Sequence, residues 1–500
     1  MEILAFALYF AAMLGIGFFF FIKGRKNSGE TEYFLGGRQM GPLVTAMSAQ
    51  ASDMSAWLLM GLPGSILAFG LGKAWIGIGL ALGTIANWIF VARRLRCMSK
   101  AANDSITLPQ YLSNRFAGSG IALQVITAVI FLVCFTVYVA SSFVAGTSVF
   151  TSVFPNLDEK LALLIFALII ISYTFLGGFK AVCWTDFFQG MLMLIALLAI
   201  PIAISATKSL DFEALKTVYT YTENGEQVAC EFGTSLFGCG WKDIASGLAW
   251  GLGYFGMPHI LVRFMSIKKS KMVKTSAVVA IIWVVLALLA AILIAVLGRI
   301  VVGGEILPDG NQKMVFIVLA RKLFPGFLAG ILLAAIIAAS MSTADSQLLV
   351  ASSSFTCDIY KPLIRKKAGE KEVMWIGRLI VLAVAVIAYF IASSKAKGAQ
   401  SIMDMVENAW GGFGASFGPV VILSLFWKRL TYKGAIAGVV CGALCDILWL
   451  MFLSSTGVYE LLPAFIVGLI ATVVVSLIDK KPGKEVDELF EAAQREALAD

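Results

Sequence analysis

Residues 48–64 read SAQASDMSAWLLMGLPG, a polar stretch interrupting an otherwise apolar run from Pro42 to Phe69. In hydrocarbon every backbone polar group must be satisfied, and a carboxylate at mid-depth costs roughly 2.5–3.5 kcal/mol on insertion scales. Such a segment persists only where it faces the protein interior or a wet cavity. There its loosened carbonyls and hydroxyls can hold an ion and a solute. Asp53 reads as the cap of the second half of a broken helix. By capping, it would hold the stretch open so that the carbonyls of Ala51 and Met54 point at a cation.

A second polar run, LLAAIIAASMSTADSQLLV (332–350), carries Ser342, Thr343, Asp345 and Ser346 among small apolar residues. Taken alone, such hydroxyls can simply bond back to the preceding turn or allow tight packing. Together with the carbonyl of Ala339 they would complete an oxygen cage with Ala51 and Met54. A neutral cage of carbonyls and hydroxyls suits Na+ better than a divalent metal. Asp186 and Asp345, with Ser342 and Ser346, form a candidate second cation site or proton relay. The plainer alternative for Asp186 is a loop-end carboxylate paired with a base such as Lys180.

A third run, AWGLGYFGMPHI (249–260), places three glycines and Pro258 where the i to i−4 ladder weakens. Trp250 and Tyr254, with Trp57 and Tyr138, would line a pocket there; Tyr138 sits mid-span, where an interfacial aromatic belt does not account for it. Such a pocket fits a small solute with an apolar body and a cationic or polar end. No arginine is expected in it, which disfavours a strongly anionic solute. His259 reads as a satisfied packing histidine rather than a proton shuttle. The run NAWGGFGASFGP (408–419) adds Gly411, Gly412, Gly414, Gly418 and Pro419, residues of close packing or bending.

The elements that must position these groups are membrane helices. The chain is 59% hydrophobic with a mean hydropathy of +0.88, which excludes an ordinary soluble protein. Apolar runs predict about thirteen spans, near 2–22, 42–69, 74–92, 120–149, 161–177, 185–207, 244–262, 275–298, 328–350, 373–393, 400–427, 433–453 and 461–478. The fold class is therefore an all-α polytopic membrane protein in a lipid bilayer. Most of the 39 lysines and arginines fall on one side when spans alternate. They begin with Lys23, Arg25, Lys26 and Arg38 and include Arg263, which places the N-terminus outside and the C-terminus inside. The net charge of +8 follows from that topology, so no nucleic-acid partner is implied. The tail after Asp479 reads as a short amphipathic helix left in solvent. Cys230 and Cys239 share an outside loop and are either a disulfide or two free thiols. No nucleophile motif, phosphate loop or HExxH appears, so an enzyme has little support.

The two interrupted spans are five helices apart, and five is odd, so the second unit enters from the opposite side. This predicts inverted repeats at 42–207 and 244–428 with a site at the two breaks. The rest divides into an extra N-terminal helix and basic loop (1–41), an extracellular loop (208–243), two C-terminal helices (429–478) and a cytoplasmic tail (479–500).

The motifs YFLGGR (33–38), SAQASDMSAWLLMGLPG (48–64), ITLPQYLSNRF (106–116), GGFKAVCWTDFFQ (177–189), WGLGYFGMPHILVRFM (250–265), AASMSTADSQLLV (338–350) and GGFGASFGPVVILSLFWKR (411–429) run nearly end to end in order. In them the chain resembles the sodium/solute symporter family, and most closely its bacterial sodium/proline branch. The resemblance implies a leucine-transporter-like 5+5 inverted-repeat fold with one extra N-terminal and two extra C-terminal helices. It implies Na+-coupled uptake of L-proline by alternating access, in the cell membrane. It also implies Na+ at Ala51, Met54, Ala339, Ser342 and Thr343, with Asp53 and Ser55 supporting ion and ligand, and Arg38 influencing coupling. Proline would contact Ser55, Ala56, Trp57, Tyr138, Trp250, Tyr254 and Pro258. Two departures stand out: Ala56 replaces a glycine, and Asp345 replaces a small polar residue. Relatives with a second sodium place ligands near Asp186, Asp345 and Ser346. Rival readings are a Na+ symporter of an organic acid, vitamin or sugar, and a non-pumping channel or receptor.

Overall fold

A computed structural model gives the fold and describes residues 1–24, 29–116, 120–223, 226–394 and 402–499. Arg25 and Lys26 of the first basic loop, the start of the expected span at 400–427 and the last residue of the tail lie outside the described residues.

The chain opens with α1 (Glu2–Gly24) and the short α2 (Glu30–Leu35). The first interrupted span follows as α3 (Pro42–Asp53) and α4 (Gly61–Phe69). Next come α5 (Ala74–Ala86), α6 (Arg93–Ala101), α7 (Leu108–Asn114), α8 (Ala122–Val153) and α9 (Glu159–Thr207). A hairpin, β1 (Tyr219–Glu223) and β2 (Glu226–Cys230), precedes the second interrupted span, α10 (Trp241–Ala249) and α11 (Pro258–Ser266). The remainder is α12 (Val273–Ile306), α13 (Val315–Leu323), α14 (Gly326–Phe355), α15 (Glu370–Ser393), α16 (Ile402–Phe426), α17 (Tyr432–Phe452), α18 (Leu461–Ile478) and α19 (Lys484–Ala499).

Ten of the described helices are long and apolar enough to cross a membrane. The expected spans at 42–69 and 244–262 are split, as their polar runs predicted. The expected spans 161–177 and 185–207 share α9 and meet at Gly178, whose φ of 62° and ψ of −170° break the helix. A Cβ there would stand 2.8 Å from the Tyr33 ring, so glycine meets both the conformation and the contact.

The most deeply buried long helix is α14, which packs against α8, α9, α1 and α3 and is buried almost throughout from Ala329 to Ser354. Its run of Ala and Ser lets neighbouring backbones come close, the packing that serves helices lacking a hydrophobic drive between them. Facing outward are large apolar side chains such as Ile202, Ile282, Phe390 and Ile478, the surface that lipid covers.

One expectation at the periphery is corrected. The tail is not left in solvent: α19 packs on α6, with Glu496 2.6 Å from Lys100 and 3.7 Å from Arg96. Phe490 takes the guanidinium of Arg115 over its ring at 5.1 Å. The 208–243 loop is also more than a connector. Its hairpin pairs Tyr219 with Cys230, and Arg299 of α12 donates to the carbonyls of Leu67, Ala68, Thr217 and Cys230. Cys230 and Cys239 stand as free thiols.

Candidate functional site

At the first break, α3 starts on Pro42 at its first turn and ends at Asp53. Met54 (φ −82°, ψ 77°) and Ser55 (φ −70°, ψ −171°) leave helical geometry, and a single 3-10 turn, Ala56–Leu58, precedes α4. The cap of that turn is Ser55, whose hydroxyl accepts from Trp57 N at 3.5 Å. The expectation that Asp53 caps it is therefore corrected. Its carboxylate instead crosses to the second break, where Oδ2 accepts from the Tyr254 hydroxyl at 2.5 Å.

Three of the five expected cage residues, Ala51, Ala339 and Ser342, meet across 291 positions of sequence. Ser342 Oγ lies 2.8 Å from Ala51 O and 3.2 Å from Ala339 O. Beside it, Thr343 Oγ1 is buried and has no hydrogen-bond partner among the described residues. An orphaned buried hydroxyl costs about 1–3 kcal/mol, and a cation ligated by it would remove that cost. The donors are carbonyls and hydroxyls, the hard oxygen ligands of group 1 and 2 cations. Among the described residues no cluster of three or more His, Cys, Asp or Glu offers a metal site.

At the second break, α10 passes into a 3-10 segment, Trp250–Phe255, before Pro258 opens α11. The Tyr254 carbonyl accepts from Asn87 Nδ2 at 3.0 Å, which helps hold the segment in place. Trp57 and Trp250 face each other with centroids 6.5 Å apart. Trp250 is also stacked against Trp410 at 6.3 Å and Tyr459 at 5.1 Å, and Trp410 Nε1 donates to Trp250 O at 2.8 Å. Trp410 and Tyr459 were missed from the sequence. Trp410 lies inside the glycine-rich run, where glycines drew the reading; Tyr459 sits in a turn with no pattern around it. Tyr138 stands edge-on to His259 at 6.4 Å. His259 is not the satisfied histidine expected, since neither ring nitrogen has a partner among the described residues.

A third cluster surrounds Asp186, which is fully buried. Its Oδ2 accepts from Ser48 Oγ at 2.6 Å and meets Arg263 Nη2 at 3.2 Å. The same Nη2 reaches Ser346 Oγ at 2.5 Å, and Ser346 Oγ lies 3.2 Å from Asp345 Oδ1. Asp186, Ser346 and Asp345 are thus brought together, but around a guanidinium. The alternative partner Lys180 instead pairs with Glu32 at 2.5 Å. Arg263 was expected among the basic residues on the cytoplasmic side; it is 1% exposed. Its signal was its place four residues after His259 in one helix, a spacing that puts both on one face.

Arg38 lies apart from these groups. It follows Gly36 and Gly37 with a positive φ of 50° and reaches Met265 O at 2.6 Å, Ser105 O at 2.7 Å and Asp104 at 2.7 Å. Burial pulls its guanidinium down to about 10, with Asp104 opposing, so it remains charged at neutral pH. It ties the last turn of α11 to the loop between α6 and α7.

The family model described as Sodium:solute symporter family matches residues 33–442. The osmoregulated proline transporter OpuE of Bacillus subtilis (strain 168) is 40% identical over 98% of this chain and 97% of that protein. Sodium/proline symporter 2 of Staphylococcus saprophyticus is 44% identical over 96% and 93%, and a sodium/proline symporter of Staphylococcus aureus (strain JH9) is 43% identical over 96% and 93%. Among solved structures, a Na+-coupled sialic acid symporter in a substrate-bound outward-open state superposes with a TM-score of 0.74 at 19% identity, covering 96% of this chain and 98% of that one. Mhp1, a nucleobase-cation-symport-1 family transporter in a closed conformation, gives a TM-score of 0.57 at 14% identity over 94% and 98%. These likenesses give the fold, that of the leucine-transporter-like symporters. With a matching family model over most of its length and near full-length relatives above 40% identity, the chain belongs to the sodium:solute symporter family.

Proposed function

We propose that this chain couples inward movement of Na+ to uptake of L-proline by alternating access in the cell membrane. The observation that carries the reading is the junction of the first break with α14. Ser342 bridges to Ala51 O at 2.8 Å while Thr343 Oγ1 is left without a partner among the described residues. Ala51, Met54, Ala339, Ser342 and Thr343 then hold Na+. Proline lies against Ser55, Ala56, Trp57, Tyr138, Trp250, Tyr254 and Pro258, its apolar ring among aromatic faces. Asp53 joins the two breaks through Tyr254, so ion and solute are sensed by one hydrogen-bonded unit.

In this reading the ten long spans are joined by the two broken helices and the first limb of α9, thirteen crossings in all. Residues 42–207 and 244–428 are inverted repeats, the N-terminus is outside and α19 is cytoplasmic. The proline names of the relatives support the substrate. Asp186, Ser346 and Asp345 become a second cation site only in a state where Arg263 has withdrawn from them.

The test is counterflow in proteoliposomes with a panel of amino acids, organic acids and sugars, with and without Na+. Exchange of proline above all others, and only with Na+, is expected. Exchange of another solute, or proline exchange indifferent to Na+, would overturn the reading.

A further inference from the structure

Behind the aromatic wall two acids meet away from water. Asp446 of α17 and Glu460, which caps α18, are 3% and 6% exposed. Both aim a carboxylate oxygen at one point over α16. A Cβ on Gly411 would stand 2.9 Å from Asp446 Oδ1 and 3.2 Å from Glu460 Oε1. The two oxygens are thus within roughly twice that distance of one another, and glycine keeps any side chain at 411 from colliding with both. Neither oxygen has a hydrogen-bond partner among the described residues.

Among the described residues the surrounding groups bring no positive charge to the pair. Cys134 of α8 lies across Gly412 from Asp446, and Cys445 shares α17 with it. Tyr459 donates to the carbonyl of Glu407 on α16 at 3.0 Å. Lys242 of α10, at this end of the molecule, donates to Thr456 O at 2.8 Å. Two buried carboxylates this close cannot both stay ionised without a compensating cation.

We propose that Asp446 and Glu460 form a cation site, separate from the Ala51–Ser342–Thr343 cage, that holds one monovalent cation, H+ or Na+, between the two carboxylates. The site is coupled to the solute cavity by chain adjacency. Gly411 follows Trp410 and Glu460 follows Tyr459, and both aromatic rings pack on Trp250. A cation drawing the two carboxylates together sets how closely α16 and the start of α18 approach, and with them that wall.

Purified full-length protein is compared with Asp446→Asn and Glu460→Gln, two variants in different helices, each checked for a monodisperse fold. Equilibrium binding of radioactive sodium reads one arm. Infrared difference spectra on raising the pH read the other, through the protonated-carboxyl C=O band. A Na+ stoichiometry lower by one ion per chain in the variants identifies sodium. Unchanged stoichiometry with loss of a titrating carboxyl band identifies a shared proton. Either folded variant suffices, and one that keeps both the wild-type stoichiometry and the wild-type band overturns the proposal. Thr343→Ala, which removes a ligand of the cage and leaves this pair intact, distinguishes loss of the one site from loss of the other.

Discussion

Thr343 and Arg263 illustrate two opposite fates of a buried polar side chain. Thr343 Oγ1 has no partner among the described residues, so its removal costs the fold little, whereas a polar contact to a charged partner, taken as the guide for a hydroxyl on a cation, is worth about 1.5–3 kcal/mol. Thr343→Ala is therefore expected to raise the Na+ concentration for half-maximal proline uptake about tenfold or more, with an unchanged melting temperature. An unaltered Na+ titration would remove Thr343 from the ion site. Arg263, in contrast, is fully engaged by Asp186, Ser48, Ser346 and His259 O. Breaking a buried pair by deleting one partner costs about 3–5 kcal/mol, because the other charge is stranded. Arg263→Ala should destabilise strongly and Asp186→Asn in the same chain should restore much of the loss, measured as thermal unfolding in detergent. Additive losses in the double variant would show that the two side chains do not compensate each other.

At the level of elements, the breaks and the hairpin matter most. Each interrupted span gives up part of its helical ladder, and the losses are made good across the bundle: Ser342 reaches Ala51, Tyr254 reaches Asp53 and Asn87 reaches the Tyr254 carbonyl. The hairpin is joined to the end of α4, where Leu71 N donates to Gly233 O at 2.8 Å. Gly70, at φ 88°, lies so close that a Cβ would stand 2.2 Å from Gly233 N. Gly70→Ala has no strain-free solution. The expected outcome is a displaced hairpin, read as faster protease cleavage between residues 219 and 240 than in wild type. Equal cleavage rates would mean that the hairpin is held by Arg299 alone.

For the whole molecule the question is coupling. The Ser342–Ala51 bond joins α3 to α14 and the Asp53–Tyr254 bond joins the first break to the second, so in the proposed function Na+ and solute bear on the same contacts. Thermodynamic linkage then requires that Na+ tighten proline by the same factor by which proline tightens Na+. Calorimetry of each ligand with and without the other should give equal factors, within the 5–150-fold range of typical coupling energies of about 1–3 kcal/mol. A factor of one for both ligands would show that Na+ and proline are not coupled and would overturn the reading.

Both broken helices were legible in the chain because polar and helix-breaking residues in an apolar run have a large local cost that only one kind of structure removes. The same logic located the Ser342–Thr343 hydroxyls, and motif order pointed to the family. Partnership was not legible. Asp53 bonding Tyr254 rather than capping its own helix, Arg263 rather than Lys180 facing Asp186, and α19 resting on α6 are long-range choices among groups of equal local suitability. The roles of Trp410, Tyr459 and the Asp446–Glu460 pair are of the same kind. Burial and hydrogen-bond distance select among such groups, and both quantities exist only once distant segments of the chain have packed together.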